Sequence, residues 1–395
     1  MPQNTPTQKR VKRHVIGREH TFFATTPPGL EPLCAQEIAT LPTDIKDTKI
    51  VPGGVEFRCR LAGCYAANLY LRIPNRILMR LKDFKATNFR QLEKNVLKFP
   101  WELHLSPSLE LVFSVKTRHS RLFHTSAIAK RIEACIRQRI PSLPSGKPGL
   151  SEKKDRQHLY VRAVDDHLFL SLDSSGDLLF KRGLKQDVGR APIRETLAAA
   201  ILKLAGYDGS QPLLDPMCGS GTFSLEAAMI AGNIPPGFYR NFAFTQWPAF
   251  REPQWHHLKQ KAVSDIRCKT SPLIFASDQD MQRTTEFQKI CDKFEWLKVI
   301  QVDTHDFFHL PPPDMIETPG ILVLNPPFGV RLNSNDKPKT FFHDILKKLV
   351  KDFQHWQIAI LVKDRAIVNL FPNNFKQYPL FHGGIDLMLL IGVFN

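Results

Sequence analysis

Four short stretches combine acids, glycines and an amide in patterns that could do chemistry. The first is Leu213-Leu214-Asp215-Pro216-Met217-Cys218-Gly219-Ser220-Gly221-Thr222. An apolar strand ends on an acid, a turn of small residues follows, and the pattern then predicts a helix over 223–231. Two glycines without Cβ let a ligand approach the backbone closely. Open parallel sheets bind ligands at the carboxyl ends of their strands, where this turn falls. A phosphate loop would need Gly-Lys-Ser/Thr next, and a dinucleotide fingerprint a third glycine; both are missing. An acid ahead of the glycines suits a positively charged or amine-bearing ligand better than a pyrophosphate. S-adenosylmethionine (SAM), with an ammonium and a sulfonium, is such a ligand. An ordinary tight turn is the plainer alternative. Cys218 has no His placed nearby in sequence, so it reads as a small residue that fits the loop rather than a nucleophile.

The second stretch is Ala276-Ser277-Asp278-Gln279-Asp280, an apolar strand closing on an acid. An Asp at that point of a nucleotide-binding sheet accepts hydrogen bonds from ribose hydroxyls. It comes 63 residues after Asp215, against a usual gap of about 20. Residues 233–270, with Trp247 and Trp255, therefore read as an insertion. The third stretch, Val302-Asp303-Thr304-His305-Asp306, offers Asp306 to an adenine amino group, or else a solvated loop acid. The fourth, Asn325-Pro326-Pro327-Phe328-Gly329, follows the apolar run Ile321–Leu324. An amide oxygen and the next carbonyl can both accept from one exocyclic NH₂. The prolines keep that backbone stiff, and Phe328 offers a face for an aromatic base.

The elements that must position these residues alternate. Strands at 212–214, 273–276, 299–302, 321–324 and 357–362 are separated by helical stretches, and 385–394 adds a late apolar strand. Parallel strands with crossover helices are the expectation. The helix ahead of them has Pro192 in its first turn and Ile193, Leu197, Ile201 and Leu204 as its apolar positions. Residues 173–190 read as a linker. Before it, short strands and helices alternate in two small α+β units. In the second, Ser126–Arg139 is an amphipathic helix with Lys130, Arg131, Arg137 and Arg139 on its solvent side. Residues 1–20, polar and basic, read as a disordered arm.

Charge follows the same division. Residues 1–172 carry 29 Lys+Arg against 15 Asp+Glu, while 173–395 are near neutral. A basic half joined to a neutral one suits a polyanion-binding module attached to something else. No run of about 18 apolar residues is present, which excludes a transmembrane helix. No apolar stretch follows the basic start, which excludes a secretory signal. Seven scattered cysteines make no disulfide framework and point to a reducing cytoplasm. No metal-ligand spacing occurs; the close pair Cys59 and Cys64 lacks a partner pair.

DPMCGSGT followed by NPPFG, with GRAPIRETLAAAIL ahead of them, resembles the class I SAM-dependent methyltransferases that modify exocyclic amino groups. More narrowly, the chain resembles the THUMP-containing RNA guanine-N2 methyltransferases, and is most like the N-terminal half of the bacterial 23S rRNA members. FFATTPPGLEPLCAQEI and GGVEF resemble the family's opening elements, RHSRLFHTSAIAKRIEACIRQR its THUMP core, and NFAFTQWPAF its insertion. The likeness implies a Rossmann-like domain with a mostly parallel seven-stranded sheet, preceded by an α+β ferredoxin-like and THUMP module. The implied limits are an arm over 1–20, a ferredoxin-like part over 21–85, THUMP over 86–172, a linker over 173–190 and the methyltransferase over 191–395.

By that resemblance Asp215, Gly219 and Gly221 line the methionine end of SAM, with Pro216, Cys218 and Thr222 also among the cofactor-binding residues. Asp278 takes the ribose, Gln279 is also among the cofactor-binding residues, and Asp306 lies near the adenine. Asn325, Pro326 and Phe328 hold the target guanine. Arg118, Arg121, His124, Lys130 and Arg131 anchor RNA. The implied partner is RNA, 23S rRNA first and tRNA second, with no membrane and no metal; the oligomeric state is open. Some family members carry a second methyltransferase domain, and this sequence stops at Asn395, so a single methylation is expected. A DNA adenine-N6 methyltransferase and a non-catalytic RNA-binding assembly factor are the other readings.

Overall fold

Continuous apolar strands belong inside parallel sheets covered on both faces, while alternating ones belong where one face is wet. Both kinds occur here, in different halves of the chain. The computed structural model describes residues 5–144, 156–184, 193–267, 273–309, 318–327 and 338–394. These group into two units: residues up to 26, 34–179 and 240–260 form one, and 27–33, 180–239 and 261 onward the other.

The first unit contains α1 (Pro6–Val11), β1 (His20–Thr25), most of α2 (Glu31–Ala39), β2 (Lys46–Val51), β3 (Gly54–Cys59), α3 (Leu61–Tyr70), β4 (Arg76–Lys85), α4 (Phe89–Leu97), β5 (Glu110–Arg118), α5 (Thr125–Arg139), β6 (Arg156–Val164) and β7 (His167–Asp173). Its strands make one sheet in the order β2-β3-β1-β4-β7-β6-β5. The two small units expected from sequence thus share a continuous sheet, joined where β4 pairs antiparallel with β7. Along β6, Gln157, Leu159, Val161 and Ala163 are buried and alternate with less covered residues. Asp165 and Asp166, both at positive φ (51° and 63°), close the β6–β7 hairpin, as a two-residue turn requires. α5 buries Ile128, Ile132, Cys135 and Ile136.

Two expectations about this half need correction. Residues 5–20 are not a disordered arm. Thr5 Oγ1 accepts from the Gln8 amide at 3.3 Å and Gln8 Oε1 accepts from the Thr5 amide at 2.9 Å, a capping box that starts α1. Val11 and Val15 are buried, four residues apart on the inward side. Nor is the start of 173–190 a linker: Asp173, Ser174 and Ser175 are fully buried. Their polar groups are satisfied internally, by Arg76 on Asp173, by Asn68 Nδ2 donating to Ser174 Oγ at 2.8 Å, and by Ser175 Oγ donating to Asn68 Oδ1 at 2.7 Å. Polar composition alone cannot tell such a network from a solvated segment. Residues 185–190 lie outside the described residues.

The second unit holds α6 (Glu195–Leu204), β8 (Leu213–Asp215), α7 (Thr222–Ala231), the last part of α8 (Glu252–Ser264), β9 (Ile274–Asp278), α9 (Met281–Cys291), β10 (Ile300–Thr304), β11 (Ile321–Leu324), α10 (Pro338–Asp352), β12 (Gln357–Val362), α11 (Arg365–Val368), β13 (Lys376–His382) and β14 (Ile385–Gly392). The sheet order is β10-β9-β8-β11-β12-β14-β13. Neighbours from β10 to β12 are parallel, and β14 runs against both β12 and β13. This is the Rossmann-like class I arrangement. All four residues of β11 are buried, as are Ile358–Val362 of β12. Phe342, Ile345, Leu349 and Phe353 pack against them.

Residues 240–260, expected within the methyltransferase domain, group instead with the first unit. Phe244 stacks on Tyr65 with centroids 4.6 Å apart, Trp247 Nε1 donates to Gln157 Oε1 at 2.9 Å, and the Arg251 amide donates to the Tyr65 hydroxyl at 3.2 Å. The aromatic residues that marked the insertion are there to fill this core. No helix among the described residues is long and apolar enough to cross a membrane.

Candidate active site

β8 is three residues long and ends on Asp215, which is buried. Ser224 of α7 donates to Asp215 Oδ2 at 2.7 Å, fixing the carboxylate beneath the turn. Gly219 and Gly221 both adopt left-handed backbone (φ 54° and 69°), a region that costs other residues energy. They differ in surroundings. A Cβ on Gly221 would lie 2.2 Å from the Phe287 ring. A Cβ on Gly219 would meet only a guanidinium nitrogen of Arg283, at 3.8 Å. One glycine therefore serves packing, and the other leaves the turn open to a ligand.

The turn is tied to the next strand. The Cys218 amide donates to the Ser277 carbonyl at 2.9 Å, and the Gly219 amide to Asp278 Oδ2 at 2.9 Å. Asp278 Oδ1 accepts from the Asp280 amide at 3.0 Å, and each oxygen keeps a second lone pair for another donor. Gln279 is exposed beside it. Asp280 caps α9 through the Gln282 amide and pairs with Arg283 at 3.1 Å. Asp306, half-buried after β10, accepts from the Phe308 amide at 3.0 Å and has His309 Nδ1 at 3.3 Å. Burial first, then the carboxylates of Asp215 and Asp278, push the Cys218 thiol well above its ordinary range. It stays protonated and is a poor nucleophile. Crowded acids with a glycine-lined opening suit a cationic ligand.

β8 has β9 on one side and β11 on the other. The chain leaves β8 toward β9 and β10 and comes back to lay β11 beside it, so the sheet's topological switch lies between β8 and β11. Their register pairs Ile321 with Leu213 and Leu322 with Leu214, which sets Asn325 two residues further along than Asp215. Asn325 is half-buried and Pro326 buried. Phe328 lies outside the described residues. The sequence motifs of this half thus gather at the carboxyl ends of β8, β9, β10 and β11. Ser224, Arg283 and Phe287 belong to the same neighbourhood and had no local signal in the sequence.

The expected RNA contacts are all in the first unit. Arg118 ends β5; Arg121 is exposed, and its amide donates to Asp166 Oδ1 at 2.7 Å. His124 precedes α5 and packs on Phe123, and Lys130 is exposed on that helix. Arg131 is engaged, 2.6 Å from Glu93 and over the Phe89 ring.

Family models agree with this layout. One described as the RMKL-like methyltransferase domain matches residues 182–391, beginning inside the stretch read as a linker. The RlmL ferredoxin-like domain matches 21–78 and the THUMP domain 86–173. The chain belongs to the RMKL-like methyltransferase family. A putative RNA methyltransferase of Synechocystis is 30% identical over 379 residues, covering 93% of this chain and 95% of that protein. The ribosomal RNA large subunit methyltransferase K/L of Syntrophotalea carbinolica is 30% identical over 381 residues, 93% of this chain but 53% of its own length. The chain thus spans about half of the K/L relative. The crystal structure of SMU.472, a putative methyltransferase complexed with SAH, superposes with a TM-score of 0.84 at 26% identity, over 96% of this chain and 99% of that one. As an RMKL-like methyltransferase, the protein uses SAM, and the acids and open glycine turn at the β8–β11 switch fit its cationic end.

Proposed function

We propose that this RMKL-like methyltransferase methylates the exocyclic N2 of a guanosine in 23S ribosomal RNA, a substrate that puts its work in the cytoplasm. The observation that carries the reading is Asn325-Pro326 at the switch beside the Asp215 turn, in a chain whose other unit contains a THUMP domain. The K/L relatives' name adds the large-subunit RNA.

Bound SAM supplies an electrophilic methyl on its sulfonium. Asp215 and the turn 216–222 would hold its amino-acid end, Asp278 and Gln279 its ribose, and Asp306 its adenine. The guanine amine is a poor nucleophile because its lone pair is delocalised into the ring. Asn325 Oδ1 and the Pro326 carbonyl would accept hydrogen bonds from its two N–H groups, turning the lone pair outward; Phe328 would stack on the base, and the methylated amine would then lose its surplus proton to water. Positioning and this polar clamp provide the acceleration. The base must leave its stack to enter such a site. Arg118, Arg121, His124, Lys130 and Arg131 would grip the RNA backbone.

Transfer of labelled methyl groups to deproteinised 23S rRNA, bulk tRNA and duplex DNA tests the substrate. Label in the rRNA supports the reading. Label confined to tRNA would move the substrate, and N6-methyladenine in DNA would overturn the substrate class.

A further inference from the structure

Residues 5–18 precede all three matched family models, the first of which begins at residue 21. They include Lys9, Arg10, Lys12, Arg13 and Arg18, and no acid. The segment is folded, which sets where these cations leave its backbone. Val11 and Val15 are buried, and His20 Nε2 lies 2.7 Å from the Val15 carbonyl. Arg10 reaches Glu102 at 3.1 Å. Glu102 also receives Arg139 of α5, at 2.9 Å. Burial opposes its ionisation, but hydrogen bonds from Arg139 and Arg10 outweigh that and hold its carboxyl below the usual range. One carboxylate shared by two arginines leaves a net positive junction between α1 and the THUMP helix.

Lys9, Lys12 and Arg13 remain exposed and enter no ion pair among the described residues. Lys98, just ahead of the Trp101–Leu103 turn that α1 packs against, is exposed as well. The segment's two valines are spent inward, so it lacks the outward apolar face by which amphipathic helices enter membranes. Exposed cations on a folded segment, with no ion-pair partner among the described residues, suit a row of phosphates.

We propose that Lys9, Lys12 and Arg13 are a second RNA-backbone anchor, docked onto the THUMP part through Val11, Val15 and the Arg10–Glu102–Arg139 junction. This rests on the RNA reading above. It extends the RNA-binding surface to a segment that the family models do not include.

Filter binding of the full chain to deproteinised bacterial 23S rRNA, over 50–200 mM salt, tests it. Relative to wild type, K9A/K12A/R13A is expected to bind roughly tenfold more weakly at the upper salt concentrations, with the log–log salt slope reduced by about 2. KM for RNA rises, while kcat at saturating RNA and the melting temperature stay as in wild type. The charge-preserving K9R/K12R/R13K variant binds as wild type does. An unchanged slope for K9A/K12A/R13A, with R118A/R121A/K130A weakened, would overturn this anchor and leave the RNA reading standing. No binding by wild type would overturn both. Binding of wild type to phosphatidylserine vesicles, abolished in K9A/K12A/R13A, would reassign the segment to membranes.

Discussion

Gly219 and Gly221 sit two residues apart in one turn and make different demands. G221A forces left-handed backbone on a residue with a Cβ and drives that Cβ into Phe287. Urea unfolding is expected to show a loss of about 2–5 kcal/mol. G219A meets only Arg283, at 3.8 Å, and costs about 1–2 kcal/mol, but its methyl stands in the proposed SAM opening, so SAM affinity is expected to fall more than stability. Asn325→Ala removes one acceptor from the proposed amine clamp. Its kcat is expected to drop about 10²–10³-fold, with SAM binding by calorimetry unchanged. His104, stacked on Phe99, titrates differently. Burial pulls its pKa from 6.5 down to about 4. The unfolded chain takes up that proton near 6.5, so between 6.5 and 4 it binds more protons than the folded one. The stability neutral His104 provides is complete above 6.5 and lost as pH falls toward 4, on the order of 3 kcal/mol. H104F is expected to flatten denaturant midpoints over that window. At this scale the positions of Asp215, Asp278 and Asn325 at strand ends were legible, because each closes or follows a mostly apolar run. The sequence could not disclose Ser224 on Asp215 or Arg283 near Gly219, which meet only after folding.

Elements were legible where their burial is one-sided or complete. β11 and β12 are apolar throughout, and α5 carries its buried residues at helical spacing. β2 (Lys-Asp-Thr-Lys-Ile-Val) was not legible. It is an edge strand with five of six residues exposed, held by backbone pairing and a bulge that places Asp47 at φ 51°. β13 was hidden likewise, an edge strand interrupted by Pro379. α1 was missed because two valines among five cations look like a tail until their burial is seen. The stretch read as a linker also conceals Arg182, whose Nε lies 2.8 Å from Glu226 Oε1 on α7, with both side chains almost fully buried. E226Q removes the carboxylate that faces this almost fully buried guanidinium and is expected to cost about 3–5 kcal/mol by thermal or urea unfolding. R182M/E226L, which removes both charges, is expected to recover most of the loss.

At the scale of the molecule, the charge asymmetry and the order of the parts were readable from composition and motif. The division into units was not. The methyltransferase half lends residues 240–260 to the first unit, around Tyr65 with Phe244, Phe250 and Trp255. Y65A is expected to cost about 3–5 kcal/mol and to speed tryptic cleavage at Arg251 and Lys259, since the segment loses its seat. Equal cleavage rates in wild type and Y65A would contradict that packing role. The proposed function pairs RNA binding by the THUMP part with methylation of a guanine at Asn325-Pro326. Its most direct measurement is methyl transfer from tritiated SAM to deproteinised 23S rRNA by wild type and N325A, with the labelled nucleoside identified after digestion. The expected result is N2-methylguanosine from wild type and almost none from N325A. A different labelled nucleoside, or equal turnover by N325A, would contradict it.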